Sequence, residues 1–402
     1  MRHILFALLG AGVLSLSACG SSETTSPMNL ESQEPYELRI ATFNVSMEAD
    51  NYASEGASEV SSDALTVALA NGEHSQIQNI AEIIQRTRPQ IILLNEFDYI
   101  ADSSKGIDLF RTNYLNQPQN GLSPIDYPYV YLAPVNTGVK TQLTDSNLSM
   151  FGFGKYPGQY AMVLLSQYPI NTDQVRTFQK FLWKDMPSHI MPSNEQGESW
   201  YDEDAVSIMR LSSKSHWDVP INVCGETIHV LASHPTPPVF DGAEDRNGRR
   251  NFDEIRFWAD YITPQTATYH YDDLGNTGGL AADSHFVILG DLNASSVEGD
   301  AYPGAMDQLL KHPRVANYPA PTSEGGKENR PDNSYAANHT AYWGMRADYV
   351  LPSSTLNVVT SGVYWPTSTE DEYRLVESRQ ASSDHRMVWV DVKLSKDSCA
   401  SD

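Results

Sequence analysis

Asp291 and Asn293 are two positions apart in the run His285–Ala294. A carboxylate beside an amide at that spacing suits a hard cation or an attacking water. In extended geometry the two side chains point the same way while Leu292 turns back into a core. Polar residues of the same kind recur just after short apolar runs elsewhere in the chain: Asn44, Glu96, His234, Asp348, and the adjacent Asp384 and His385. Singly, each has an ordinary explanation, because Asn and Asp close turns and a lone Glu is commonly solvated. Together they form a set. Hydrolysis of a phosphate ester needs a cation held by acids, a water made nucleophilic, and donors for the oxygens of the five-coordinate centre, and this set can supply all three.

Short apolar segments must position these groups. Phe286-Val287-Ile288-Leu289 is too short for a helix and rich in β-branched residues, which predicts a buried strand running out at Gly290. Leu38–Phe43 alternates as a strand ending at Asn44, and Ile91–Leu94 is a buried strand with Glu96 at its tip. Ala161–Leu165, Val206–Leu211 and Ile228–Ala232 have strand character, the last ending at His234-Pro235. Arg346–Leu351 and Met387–Val392 complete the strands, with Ser383-Asp384-His385 just before the second. Ser75–Arg86 carries Ile77, Ile80, Ile83 and Ile84 at the spacing of one helix face, and Arg88-Pro89 stops it. Asn251–Ile262 predicts a helix with Asp253 and Glu254 in its first turn, and Pro303–Lys311 a further one. Two irregular stretches, 98–158 and 178–204, read as insertions whose loops line a site. With no internal repeat, residues 38–394 form one domain, followed by a tail at 395–402.

The hydrophobic content of 40% supports a full core and excludes disorder throughout. The net charge of −24 argues against broad adhesion to phosphate polymers. At the N-terminus Arg2 and His3 precede an apolar run, Ile4–Leu16, and then Leu16-Ser17-Ala18-Cys19-Gly20. This is a secretory signal at residues 1–18, too short to span a bilayer comfortably. It resembles a bacterial lipobox, which implies cleavage before Cys19 and lipidation of that residue. Residues 19–37, rich in Ser, Thr, Glu, Gln and Pro, then form a tether. The expected location is the cell envelope, at the outer membrane or cell surface, with membrane contact through the lipid anchor only. Cys224 and Cys399 remain to pair in an exporting compartment, and the sequence leaves their pairing open.

The ordered series Thr42-Phe43-Asn44, Leu94-Asn95-Glu96, His234, Gly290-Asp291-Leu292-Asn293, Asp348-Tyr349 and Ser383-Asp384-His385 resembles the endonuclease/exonuclease/phosphatase superfamily over Leu38–Leu394. The resemblance implies a two-sheet α/β/β/α sandwich, helices on the outer faces, with a metal-dependent phosphoesterase site at one edge. It implies that Glu96, helped by Asn44, holds a divalent cation, most often Mg²⁺, with Mn²⁺ or Ca²⁺ as alternatives, and that Asp384 contributes to a second metal position. Asp291 would align or deprotonate the attacking water, and Asn293 would steady the phosphate. His385 would contact a phosphate oxygen or serve as acid/base with Asp348 fixing its tautomer, and His234 would be a phosphate-side donor. Two departures stand out: Asn95 occupies a position where Gln is common, and Asp98 follows the acid.

Arg246, Arg249 and Arg250 open the helix after the His234 strand and predict an anion pocket for a substrate phosphate, the alternative being pairing with Glu244, Asp245 and Asp253. His216, His270 and His285 read as ordinary structure. The expected function is an exported phosphoesterase acting on phosphate mono- or diesters of small or medium size. A nuclease with nucleic acid as substrate is the alternative within the superfamily. From another class, a non-catalytic surface binding protein on the same fold would be marked by loss of Glu96, Asp291 or His385, and all three are present.

Overall fold

The computed structural model describes residues 36–53, 60–144, 146–194 and 196–394. The signal segment, Cys19, most of the tether and the tail with Cys399 lie outside the described residues. Cys224 is disulfide-bonded. Among the described residues no helix is long and apolar enough to cross a membrane.

The strands are β1 (Tyr36–Met47), β2 (Ile91–Phe97), β3 (Tyr129–Tyr131), β4 (Met162–Ser166), β5 (Arg176–Thr177), β6 (His216–Val223), β7 (Glu226–Ser233), β8 (His285–Asp291), β9 (Asp348–Pro352), β10 (Asn357–Val363) and β11 (Val388–Leu394). They form a six-stranded sheet in the order β10-β11-β1-β2-β4-β3 and a five-stranded sheet in the order β5-β6-β7-β8-β9. Each sheet has one parallel pair, β1 with β2 and β7 with β8, flanked by antiparallel neighbours. A parallel pair needs a crossover connection. The Ser75–Thr87 helix lies in the first crossover and the Arg246–Tyr261 helix in the second.

Strand periodicity explains the layers. Val287 and Leu289 of β8 pack with Trp217, Val219 and Ile221 of β6 against the apolar residues of the first sheet. Phe286 and Ile288, on the opposite face, pack with Ile255, Trp258 and Tyr261 of the Arg246–Tyr261 helix. A strand covered on both faces must be apolar at every position, which is why β8 reads as an unbroken hydrophobic run. On the first sheet Ile77, Ile80 and Ile84 are wholly buried. The result is an α/β sandwich of two mixed sheets, face to face, with helices outside.

This topology assembles one edge. The parallel pairs deliver the carboxyl ends of β1, β2, β7 and β8 there, and the antiparallel flanking strands begin where those end. Asp348 opens β9 directly opposite Asp291, and Val388 of β11 pairs with Thr42, placing the preceding residues beside Asn44.

Several local expectations need correction. Val206–Leu211 is not a strand: Glu203–Ile208 is a short helix whose N-cap, Asp202, accepts a hydrogen bond from the Ala205 amide at 2.7 Å. The strand is β6, hidden in the sequence by Pro220 in its middle. The helix expected at Asn251 begins at Arg246, and Asp253 lies well inside it, accepting from the Trp183 indole at 2.6 Å and the Ile190 amide at 2.8 Å. The Pro303–Lys311 helix shrinks to one turn, Asp307–Leu310. The Asp63–Asn71 helix and β10 lacked a periodic apolar signal and went unanticipated, as did the Ile107–Leu115 helical run inside the first insertion.

His216 carries a pH-dependent share of stability. Its Nε2 donates to the Glu254 carbonyl at 2.9 Å, and its ring packs between Phe257 and Trp258. Burial pushes its imidazole down from 6.5 to about 4. The native state therefore holds it neutral, while the unfolded chain takes up a proton below pH 6.5. The stabilisation is complete above that pH and is lost as pH falls towards 4, by about 3 kcal/mol. Urea unfolding at pH 7 and 4.5 should show this loss in the wild type and a smaller one in His216→Gln, which keeps a donor but cannot titrate. Equal losses in both proteins would disprove it.

Candidate active site

The site is organised around one oxygen. Asp291 Oδ2 accepts from Asn44 Nδ2 at 3.1 Å and lies 3.5 Å from both His234 Nε2 and His385 Nε2. All four residues are buried. The other carboxylate oxygen, Oδ1, accepts the Asn293 amide at 3.0 Å, a local turn that short acidic and amide side chains close well. Asn293 adopts a positive φ of 53°, so it does not run parallel to Asp291 as an extended strand would place it. Its side-chain amide donates to the Pro235 carbonyl at 3.2 Å.

The first sheet supplies Asn44 and Glu96. Glu96 sits at the end of β2 with φ of 58°, a left-handed conformation uncommon for a side-chain-bearing residue. Asn44 faces both carboxylates as a hydrogen-bond donor, and its own oxygen accepts the Ser46 amide at 3.1 Å. Between the sheets stands Asn95. Its Oδ1 accepts from the Asp291 amide at 3.3 Å and from Thr42 Oγ1 at 3.1 Å, and its Nδ2 approaches the Ser233 carbonyl at 3.5 Å. One buried amide thus ties together the tips of β1, β2, β7 and β8. Asp98 turns away to the Ala49 amide at 2.9 Å and the Tyr156 hydroxyl at 2.6 Å.

His385 is held from behind. Its Nδ1 lies 2.9 Å from Asp348 Oδ2, which also accepts from Thr340 Oγ1 at 2.6 Å. Ser383 Oγ donates to the Asn44 carbonyl at 2.7 Å and accepts the His385 amide at 3.0 Å, fixing the loop that presents the ring. The Trp343 ring stands edge-on to the imidazole at 4.8 Å and is 45% exposed, a wall open to solvent.

These surroundings divide the two histidines. Burial opposes charge on His385, but the Asp348 and Asp291 carboxylates outweigh it and raise its pKa to about 10, so it is an imidazolium at neutral pH. His234 is held well below 6.5 by burial, reinforced by the positive charges of Lys214 and His385, so it stays neutral. Asp291 is pushed up to about 7 by burial, with His385 opposing and Asp348 and Glu96 adding. Burial likewise raises Glu96, with His385 and the Asn44 amide opposing.

The ligand atoms of Glu96, His234 and Asp291 lie within 4.8 Å of one another, as do those of Asp291, Asp348 and His385. In the second group both nitrogens of the protonated His385 already face carboxylates. The first fits a divalent cation better, with two carboxylates and an imidazole that burial holds neutral. Asp384 falls in neither group; its carboxylate accepts from Ser46 Oγ at 3.2 Å and pairs with Arg379 at 3.8 Å. The geometry thus brings His234 and Asp291 beside Glu96, and it keeps Asn44, expected to help Glu96, in hydrogen-bond contact with both carboxylates.

A model of the endonuclease/exonuclease/phosphatase family matches residues 41–385. The chain belongs to that family. It is accordingly a phosphoesterase of the endonuclease/exonuclease/phosphatase type, with a group of side chains that could hold a metal. None of the curated proteins matches it significantly. Solved structures resembling it include an endonuclease/exonuclease/phosphatase protein from Beutenbergia cavernae, at 17% identity over 89% of this chain and 72% of that one, TM-score 0.49. A sphingomyelinase C from Streptomyces griseocarneus is similar at 14% identity over 89% and 99%, TM-score 0.43. A beta toxin from Staphylococcus aureus with bound magnesium ions is similar at 14% identity over 88% and 99%, TM-score 0.42.

Within this family member each of the three arginines has partners of its own in the chain. Arg250 is buried and spends its guanidinium on the carbonyls of Leu211 at 2.8 Å, Phe151 at 2.7 Å and Arg210 at 2.9 Å. Arg246 pairs with Glu244 and donates to the Phe240 carbonyl at 3.1 Å. Arg249 donates to the Glu244 carbonyl at 3.2 Å and lies over the Tyr302 ring. The Arg246–Glu244 pair is the alternative that the neighbouring acids had suggested. Sequence reasoning missed Thr340 and Trp343, which no local motif marks, and undervalued Asn95, whose place beside Glu96 was the available signal.

Proposed function

We propose that this protein is an exported, surface-tethered, metal-dependent phosphoesterase that hydrolyses phosphate mono- or diesters of small or medium size. The observation that carries the reading is the convergence on Asp291 of a neutral His234 and a protonated His385, with Glu96 alongside. Asp291, raised to about 7, is poised to align the attacking water and accept its proton near neutral pH. The His385 imidazolium donates to a phosphoryl oxygen or to the departing oxygen, and Asp348 stabilises its charge and fixes its orientation. Glu96 would hold the cation, Asp291 and His234 being close enough to share it, and the cation would supply Lewis-acid polarisation of the phosphoryl group. Asn293 stands beside Asp291 with one side-chain N–H engaged by Pro235 and the other available to the phosphate.

The strongly acidic chain supports a small or medium substrate over a polyanion, and the N-terminal signal with Cys19 supports export and anchoring. A panel of phosphomonoesters, small diesters, phospholipid headgroup esters and nucleic acid, assayed with Mg²⁺, Mn²⁺ and Ca²⁺, tests the reading. The expected result is turnover of small esters that a chelator reduces to background and Mg²⁺ restores. Faster turnover of DNA or RNA than of every small ester would replace it with the nuclease reading. Mass spectrometry of the mature N-terminus should find an acylated Cys19; cleavage elsewhere would refute the anchor.

A further inference from the structure

Lys214 lies two residues before β6 and is only 5% exposed. A lysine that deep ordinarily pairs with a carboxylate, because an unpaired buried ammonium is costly. Here the hydrogen-bond partner of its Nζ among the described residues is the Pro235 carbonyl, at a long 3.5 Å. Glu254, the carboxylate that acts on it most strongly, holds two backbone amides and makes no ion pair with it among the described residues. Its Oε1 accepts the Ser213 amide at 2.7 Å and its Oε2 the Thr236 amide at 2.6 Å. Those amides flank Lys214 and Pro235, so Glu254 clamps together the two segments that carry Lys214 and His234.

The Pro235 carbonyl is shared. Asn293 Nδ2 donates to the same oxygen at 3.2 Å, which places the Lys214 ammonium beside the amide next to Asp291. Beyond Glu254, the carboxylates that act on it are those of Asp291 and Glu96, at longer range than an ion pair. An ammonium has three N–H donors, and among the described residues the long contact to Pro235, beside the Asn293 amide, is the one hydrogen bond that Nζ makes. We propose that Lys214 is a further phosphate-binding residue, whose ammonium takes a non-bridging phosphoryl oxygen on the His234 flank of the site. The inference rests on the phosphoesterase reading for the identity of the anion. It assigns to one buried lysine part of the electrostatic work that the sequence had sought in Arg246, Arg249 and Arg250.

Titration calorimetry of inorganic phosphate into the Mg²⁺-loaded wild type, Lys214→Met and Lys214→Arg tests it, with kcat/KM on the best substrate and Tm measured alongside. Lys214→Met should weaken phosphate binding by about tenfold to a hundredfold, the scale of a hydrogen bond to a charged group. Its Mg²⁺ affinity should not fall, and its Tm should rise because a desolvated cation has been replaced by an apolar chain. Lys214→Arg should recover part of the phosphate affinity. A folded Lys214→Met that binds phosphate within twofold of wild type overturns the proposal, as does a wild type that binds none. If Lys214→Met does not fold, Lys214→Gln carries the same comparison. A wild type that binds phosphate through Lys214 yet hydrolyses no ester would instead sink the phosphoesterase reading and leave the anion site standing.

Discussion

Replacing Asp291 with Asn should lower kcat/KM by about 10³-fold, within the 10²–10⁴ range for loss of a positioned acid or base, while the protein stays folded. The substitution keeps the shape of the side chain and can keep the turn to the Asn293 amide. What it removes is the charge at Oδ2, the atom that Asn44, His234 and His385 all approach. A neutral amide cannot accept a proton from water, and its NH₂ would confront either the Asn44 amide or the His385 imidazolium, donor against donor. The wild type should gain activity as pH rises through about 7, where Asp291 loses its proton, and lose it as pH passes about 10, where His385 loses its own. Asp291→Asn should lack the lower limb. Steady-state rates from pH 5 to 10.5, with circular dichroism to confirm folding, decide the matter. Retention of activity within tenfold of wild type would remove Asp291 from the chemistry.

The second large effect is expected at Asp348. Asp348→Asn should cost about 10²–10⁴-fold in kcat/KM on the scale of acid and base removal, although Asp348 stands behind His385 as a positioning residue. Its Oδ2 takes both the His385 ring and the Thr340 hydroxyl. An amide there withdraws the negative charge that, with Asp291, raises the imidazole to about 10 against the effect of burial. The His385 value should therefore fall towards the ordinary 6.5 of histidine, and the alkaline limb of the pH–rate profile should move down with it. Activity that needs the protonated ring would then be lost as pH rises through the physiological range. Nuclear magnetic resonance titration of the His385 ring gives the same quantity without turnover. An unshifted alkaline limb in a folded Asp348→Asn protein would show that His385 owes its charge to other groups.

Local pattern explains what the amino-acid sequence determined unaided. An apolar run such as Phe286–Leu289 reports burial on both faces, and the isoleucines of Ser75–Thr87 report one helix face, because these periodicities arise from backbone geometry within a few residues. From them, and from the ordered motifs, the two-layer sandwich and a row of polar residues at strand ends were legible. Elements without such a pattern were not. The proline in β6 masked its alternation, and the arginines and Gly248 at the start of the Arg246–Tyr261 helix concealed its first turn.

The site's chemistry was decided only in three dimensions. That His385 is charged and His234 neutral follows from which carboxylates and cations each faces, and no spacing within the chain encodes those neighbours. Asn44 meets Asp291 across 247 residues, and Asn95 reaches the Asp291 amide across 196. The arginines looked like the anion site because they were clustered in sequence, yet folding spent Arg250 on backbone carbonyls and paired Arg246 with Glu244. Lys214, isolated in the sequence, was instead buried beside the carboxylates. Charge and proton affinity depend on burial and on groups a few ångströms away, and tertiary packing alone sets both.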